Sequence, residues 1–181
     1  MKALNKASVA LNNGNKILKN IETFLLAICT ITLVAVIFIG VICRYLLFIS
    51  TAWAEELSRY LFVWLTYIGS AYALSEGGHI EIDIFKQFII SRKNIKDKDH
   101  VLKVFEIMSL ICTMSFLLIF SYIFWGYMMR IWGTNQTSPT MHIPMGLVYL
   151  PVFVGSLISI YHVLYLIFNS LLALKPSQDI K

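Results

Sequence analysis

Residues Trp53–Phe85 read WAEELSRYLFVWLTYIGSAYALSEGGHIEIDIF, and this stretch decides the fold. It begins with three charges, Glu55, Glu56 and Arg59, continues with 16 uncharged residues, and ends in Gly-Gly-His and an alternating tail. A membrane-spanning helix needs about 20 mostly apolar residues. Sixteen are too few, so the helix must begin near Trp53, and all three charges fall in its first two turns. Charges at such a depth are costly unless they have partners.

One face of this helix combines charged, hydroxylated and small residues. With successive residues about 100° apart on the helix, the residues sharing this face are Glu55, Arg59, Thr66, Gly69, Ser70 and Ala73. Small residues let membrane helices approach closely, so we predict a helix–helix contact face capped by ionic groups. The opposite face, with Trp53, Tyr60, Trp64 and Ala71, should then point toward lipid. The alternative is an exposed Glu55–Arg59 pair near the headgroups, contributing about 0.2–0.5 kcal/mol.

Composition indicates an integral membrane protein. The chain of 181 residues is 58% hydrophobic and carries a net charge of +5, which is more apolar than an ordinary soluble domain. We infer no nucleic-acid binding, because the basic residues follow membrane topology. Cys29, Cys43 and Cys112 lie in apolar runs without metal-ligand or CxxC spacing. We therefore predict neither a disulfide nor a metal site.

The apolar runs predict an all-α membrane protein with four transmembrane helices and one interfacial amphipathic helix. A single four-helix domain covers residues 21–174, between a basic N-terminal segment, 1–20, and a tail, 175–181. The spanning helices are expected at about 22–47, 51–75, 104–130 and 146–173, and the interfacial helix at about 79–90. Segment 1–20 is either amphipathic or a disordered tail, and Asn12-Asn13-Gly14-Asn15 should break or start any helix there.

The distribution of Lys and Arg predicts that both termini are cytoplasmic. Twelve of these residues lie in the N-terminal segment, the loop 76–106 and the C-terminal tail, whereas only Arg44, Arg59 and Arg130 lie on the other side. Cytoplasmic loops carry the excess of basic residues. The charged start of the second helix then lies at the outer face, and His79 lies at the inner face.

We find no nucleophile motif, phosphate loop or metal-ligand spacing, so we expect no enzymatic activity and no cofactor. One alternative is a haem-bearing membrane anchor of a respiratory enzyme, with His79 and His162 as conceivable ligands. A lone histidine in a helix is, however, more often a hydrogen-bonded packing residue. A second alternative is a small self-contained exporter, which would need ionisable residues inside the membrane. Only the Glu55/Glu56/Arg59 cluster and His162 qualify.

Two groups of motifs carry a family resemblance. The first contains Trp53, Glu55, Glu56 and Arg59, an aromatic-rich helix through Gly69, then Gly78, His79, Ile80, Ile82 and Asp83. The second, before the last helix, contains Ser138-Pro139, Ile143-Pro144-Met145, Tyr149, Pro151 and Gly155. Together they make the chain resemble, over about residues 20–172, the small DctQ-like membrane subunit of tripartite ATP-independent periplasmic (TRAP) transporters.

The resemblance implies an accessory subunit in the bacterial inner membrane. Such a subunit pairs with a large polytopic membrane subunit that holds the substrate and sodium sites. A periplasmic substrate-binding protein delivers an organic acid, such as a C4-dicarboxylate or sialic acid, and an ion gradient drives its symport. We hypothesise that the small subunit braces the large one. The expected interface or structural residues are Trp53, Glu55, Glu56, Arg59, Thr66, Gly69, Ser70, Ala73, Gly78, His79 and Asp83.

Overall fold

Four helices make up the part of the chain that the structure describes. The computed structural model describes the backbone of residues 2–76 and 98–174, and the side chains of residues 11–76 and 101–172. The helices are α1 (Lys2–Tyr45), α2 (Ala52–Ser75), α3 (Lys98–Gly133) and α4 (Met145–Leu174). The bounds of α2 and α4 lie close to the predicted ranges, whereas α1 and α3 begin earlier.

Three of these helices contain a segment that is long and apolar enough to cross a membrane. The segments are Leu11–Tyr45, Val101–Gly133 and Met145–Leu172. The helix α2 does not reach this level, since it is rich in charged, hydroxylated and Trp or Tyr residues. The prediction of an all-helical membrane protein is confirmed, and the fourth span stays a prediction. The expected interfacial helix at 79–90, with Gly78, His79 and Asp83, lies outside the described residues.

The helix α1 includes the segment that we expected to stand apart from the domain. The predicted break at Asn12–Asn15 is wrong, because the chain stays helical from Lys2 to Tyr45. Asn and Gly weaken an isolated helix, but contacts with α4 outweigh that preference here. Asn15 is buried, and Gly14 lies against the hydroxyl of Tyr161, which leaves no room for a Cβ atom there. Residues 11–20 are therefore a packed part of the helical domain.

The helices form an open row in the order α1, α2, α4, α3. The helix α2 packs between α1 and α4, and α3 packs on the far side of α4. A smaller contact joins α1 to α4. Within the described residues, α3 contacts neither α1 nor α2, so the row does not close into a bundle. It therefore leaves long faces of its helices uncovered by the other residues that the structure describes.

Close approach of backbones joins α2 to α4. A Cβ atom placed on Gly155 of α4 would lie 2.8 Å from the carbonyl oxygen of Tyr67 in α2. Only glycine allows this separation, which real Cβ atoms do not show. Membrane helices commonly associate through small residues, because lipid provides no hydrophobic driving force between them. Gly155 therefore sets the distance between the two central helices.

A hydrogen bond and aromatic contacts join α3 to α4. The hydroxyl of Ser121 donates to the hydroxyl oxygen of Ser156 at 2.9 Å, and both residues are buried. Toward the 134–144 loop, the rings of Trp125 and Phe153 lie 5.0 Å apart between centroids. Such pairs contribute about 0.5–1.5 kcal/mol beyond the area that they bury. These contacts fix α3 at the edge of the row.

We expect Gly155→Ala to lower the thermal stability of the purified protein. The added methyl group would collide with the Tyr67 carbonyl, and overpacking of this kind costs about 1–3 kcal/mol. Gly126→Ala in α3 is the matched control, because a Cβ atom there meets nothing within 4 Å. Thermal unfolding followed by circular dichroism should show a lower midpoint only for Gly155→Ala. Equal midpoints for the two variants would contradict the close approach.

Candidate functional site

The carboxylate of Glu56 is an anchor for the loop between α3 and α4. Glu56 is buried, and its Oε2 accepts hydrogen bonds from the backbone N–H groups of Thr140 at 2.9 Å and Met141 at 3.2 Å. Its Oε1 accepts a hydrogen bond from the hydroxyl of Tyr60, one turn further along α2. A buried carboxylate needs such donors, because burial removes its hydration. Glu56 is thus engaged within the chain.

Ser138 closes the same loop from inside. Its backbone N–H donates to the carbonyl of Ile143 at 2.8 Å, and its hydroxyl oxygen accepts from the N–H of Ile143 at 3.1 Å. The side chain of Ser138 is almost fully buried, and His142 takes a left-handed conformation with φ of 56°. These bonds join Ser138 to Ile143, two residues of the second sequence motif. The loop is a compact turn seated on α2.

The other two charges at the start of α2 are exposed. Glu55 pairs with Arg44 at the end of α1, not with Arg59 as the alternative reading of the sequence expected. Both side chains of the Glu55–Arg44 pair are more than half exposed, so the pair contributes little by itself. Trp53 is 40% exposed beside it. Arg59 is exposed and makes no ion pair with any acidic residue in the described ranges.

The predicted lipid face of α2 is partly buried within the chain, and the predicted contact face is largely exposed. Ala71 is fully buried and Tyr60 bonds to Glu56, so the expectation that their face points toward lipid is wrong. The reason is that Glu56, which lies near that face, turns inward to the loop amides. The residues of the predicted contact face that remain exposed on α2 are Glu55, Arg59, Thr66, Ser70 and Ala73.

Gly69, on the predicted contact face, packs against α1 of this chain. A Cβ atom on Gly69 would meet Leu26 of α1 at 3.6 Å, an ordinary packing distance. The hydroxyl of Thr66 bonds back to the carbonyl of Phe62 at 2.8 Å, which hides its polarity on the helix surface. We call Arg59, Phe62, Thr66, Ser70 and Ala73 the free face of α2, since all five are exposed.

A buried polar cluster joins α1 to α4 at the ends of these helices that lie away from the 134–144 loop. It was not predicted from the sequence. The two ring nitrogens of His162 in α4 face two different residues of α1: Nδ1 lies 2.6 Å from Oδ1 of Asn15, and Nε2 lies 3.2 Å from the carboxylate of Glu22. His162, Glu22 and Asn15, the polar clasp, are 0%, 1% and 6% exposed. Both nitrogens are therefore occupied by oxygen partners. This arrangement matches a hydrogen-bonded packing histidine and leaves no nitrogen for haem iron.

Further bonds extend the clasp along α1. The hydroxyl of Tyr161 donates to the carbonyl of Leu11 at 3.2 Å, and the hydroxyl of Tyr165 donates to Oδ1 of Asn12 at 2.9 Å. Lys19 pairs with Glu76 at the end of α2, at 3.0 Å. The spacing of seven between Asn15 and Glu22, which places them on one helix face, was the available sequence signal. No group of three or more His, Cys, Asp or Glu side chains that could hold a metal occurs among the described residues.

We expect Glu56→Gln to loosen the 134–144 loop without unfolding the helices. An amide offers one acceptor oxygen where the carboxylate offers two, so the N–H groups of Thr140 and Met141 or the Tyr60 hydroxyl lose a partner. Hydrogen–deuterium exchange should become several-fold faster at these two amides. Glu55→Gln, at an exposed ion pair, is the control and should leave the loop unchanged. Unaltered exchange in Glu56→Gln would contradict the anchor.

We expect His162→Leu to destabilise the protein strongly, because it leaves the Glu22 carboxylate buried without its partner. Removing one member of a buried pair costs about 3–5 kcal/mol. The double variant Glu22→Leu/His162→Leu should recover much of the loss, since it removes the stranded charge. Thermal unfolding of the purified variants measures both effects, with Tyr122→Leu at an exposed helical position as control. A single variant as stable as the control would refute the clasp.

Comparison with known proteins agrees with these features. A family model described as tripartite ATP-independent periplasmic transporters, DctQ component, matches residues 33–173, well over half of the chain. The C4-dicarboxylate TRAP transporter small permease protein DctQ of Rhodobacter capsulatus is 29% identical over 121 residues, which cover 67% of this chain and 50% of that protein. A protein of Haemophilus influenzae, named as a TRAP transporter small permease protein, is 29% identical over 147 residues.

This second match covers 80% of the chain and 82% of the Haemophilus protein, whereas the chain spans about half the length of the Rhodobacter relative. The family match includes α2, α3, the 134–144 loop and all but the last residue of α4, together with the C-terminal part of α1 from residue 33 onward. The chain belongs to the DctQ component family of the TRAP transporters.

Proposed function

We propose that this chain is the accessory small membrane subunit of an ion-gradient-driven TRAP uptake system, and that it braces the large membrane subunit through the free face of α2. The proposal rests on the exposure of Arg59 and on its lack of an acidic partner among the described residues. This arginine lies on a membrane-protein helix, it is exposed, and no described acidic residue pairs with it. Charges on such helices normally have partners.

The rest of the free face suits a second helix. Thr66, Ser70 and Ala73 are small, and they lie at spacings of three and four along α2. Small residues allow close approach of a partner helix, and the Thr66 hydroxyl is already satisfied by its own backbone. A partner helix with a carboxylate level with Arg59 would pair with the guanidinium and cover the small residues below it. Glu55 and Glu56, in contrast, act within this chain.

Helix lengths support four spans. The helix α2 has 24 residues, and a rise of 1.5 Å per residue makes it about 36 Å long. This exceeds the hydrocarbon thickness of about 30 Å. With both termini cytoplasmic, as the basic residues predict, the loops near residues 48–52 and 134–144 face the periplasm. These loops are the proposed contact for a periplasmic substrate-binding protein, and Phe48 in the first is 88% exposed.

The substrate of the system is proposed to be an organic acid taken up with sodium. The name of the Rhodobacter capsulatus relative includes C4-dicarboxylate, which makes dicarboxylates the first substrates to test, before sialic acid. The chain itself is proposed to have no enzymatic activity. Co-expression with the large membrane subunit, followed by affinity purification, tests the core of the proposal. A stable one-to-one complex is expected, and a chain that purifies alone from such cells would reject it.

We expect Arg59→Ala to reduce recovery of the large subunit at least about tenfold, because a carboxylate buried at the interface would lose its partner. Arg59→Lys should retain part of the binding, since it keeps the charge. Arg130→Ala is the control, because Arg130 is an exposed arginine in the last turn of α3. Quantitative mass spectrometry of the purified complexes measures the ratio of the subunits. Equal ratios in Arg59→Ala and Arg130→Ala would exclude Arg59 from the interface.

A bulky residue at Thr66 gives an independent test of the same face. Thr66→Phe should leave the isolated chain folded, because Thr66 is exposed, but should block close approach of a partner helix. Ser115→Phe is matched to it: Ser115 is exposed on α3, and its hydroxyl also bonds to the carbonyl four residues earlier. Complex formation and uptake in cells should fall only in Thr66→Phe. Full activity in Thr66→Phe would place the contact on another helix.

A further inference from the structure

A small, open cleft with both polar and apolar surface lies between α3 and α4, away from the free face of α2. Its volume is about 260 Å³, and it is lined by Lys103, Glu106, Leu166, Asn169 and Ser170. The hydroxyl of Ser170 donates to Oε1 of Glu106 at 3.2 Å, which holds the carboxylate at one wall. The bracing role proposed above makes no use of these residues. Four of the five lining residues are polar, although the chain as a whole is strongly apolar.

The position of the cleft along the helices corresponds to the level of the lipid headgroups. Ser170 follows the clasp residue His162 by eight residues, or about 12 Å along α4. On α3, Lys103 and Glu106 immediately precede the uncharged run that begins at Ile107. Met108 at this level is 57% exposed, so α3 still presents apolar surface there. The cleft therefore lies where apolar surface gives way to charge, with Leu166 on the side of the apolar core.

The lining favours a zwitterion with hydrogen-bond donors on its cation. It supplies one ammonium and one carboxylate, together with an amide and a hydroxyl. An anionic headgroup would face Glu106 as well as Lys103, and a choline group offers no N–H to the carboxylate. A primary ammonium can donate to Glu106, while a phosphate accepts from Lys103 and Asn169. The volume lies just below that of pockets for drug-sized ligands, which suits a headgroup alone.

We propose that this cleft binds the headgroup of an aminophospholipid such as phosphatidylethanolamine, with its ammonium on Glu106 and its phosphate on Lys103. Pockets with basic side chains between transmembrane helices near the membrane surface are known to bind lipid headgroups. The bound lipid would fill the gap between the ends of α3 and α4, with its acyl chains along the exposed apolar side of α3. This inference is independent of the proposed partner and substrate.

The test is native mass spectrometry of the purified, delipidated full chain, titrated with lipids that have the same acyl chains. Phosphatidylethanolamine should bind at about tenfold lower concentration than phosphatidylcholine or phosphatidylglycerol. Glu106→Gln should abolish this preference while leaving phosphatidylcholine binding unchanged. Asn169→Leu, which fills the cleft, should weaken binding of phosphatidylethanolamine. Glu76→Gln changes an exposed ion pair outside the cleft and should retain the preference.

Three results would overturn the proposal: equal binding of the three lipids, a preference for the anionic lipid, or an unchanged preference in Glu106→Gln. Free phosphoethanolamine separates a lipid from a soluble ligand of the same chemistry. It should not displace the lipid at equal concentration, and displacement would assign the cleft to a soluble phosphate ester. Each variant is compared with the wild-type chain only where the circular dichroism and the thermal midpoint of the two are equal. If Asn169→Leu fails to fold, the nearly isosteric variant Glu106→Gln alone provides the test.

Discussion

The hydrogen bonds from the 134–144 loop to Glu56 determine the order of the helices. This loop leads directly into α4, so seating its amides on the first turns of α2 places the start of α4 beside α2. The backbone of Gly155 then allows α4 to run close to α2 along its length. Since α2 already packs against α1 on its other side, α3 is left with the outer side of α4. One buried carboxylate thus explains why the chain forms a row.

Buried polar groups join the helices at both of their ends, but the groups differ between the two ends. At the loop end, a carboxylate satisfies backbone amides; at the opposite end, a carboxylate and an amide satisfy the two nitrogens of a histidine. Between the loop and the clasp, the helices meet through small residues such as Ser121, Ser156 and Gly155. In lipid, apolar side chains gain little from leaving the solvent, so packing and hydrogen bonds must specify the pairing. Polar pairs at both ends fix the register of the helices between them.

The sequence predicted the helical membrane fold and the approximate bounds of α2 and α4, because long uncharged runs flanked by polar turns are a strong signal. The partners of its polar residues were not predictable in the same way. Glu56 binds amides 84 residues away, and backbone amides carry no residue-type signal. Glu22 and Asn15 meet His162 across 140 and 147 residues. The same limit applies to residues 1–20, which the composition predicts as a separate segment. Their contacts with α4, which is distant in sequence, leave no local signal.

The open row also has a mechanical consequence. The contacts within the row are uneven. The helices α1, α2 and α4 all contact one another, and the polar clasp joins α1 to α4, whereas α3 contacts only α4 among the described residues. Since α3 is held from one side only, it is the helix of the row that can tilt most easily. A rigid neighbour would impose its own shape on these helices, and the anchored loop at one end would move with it as a unit.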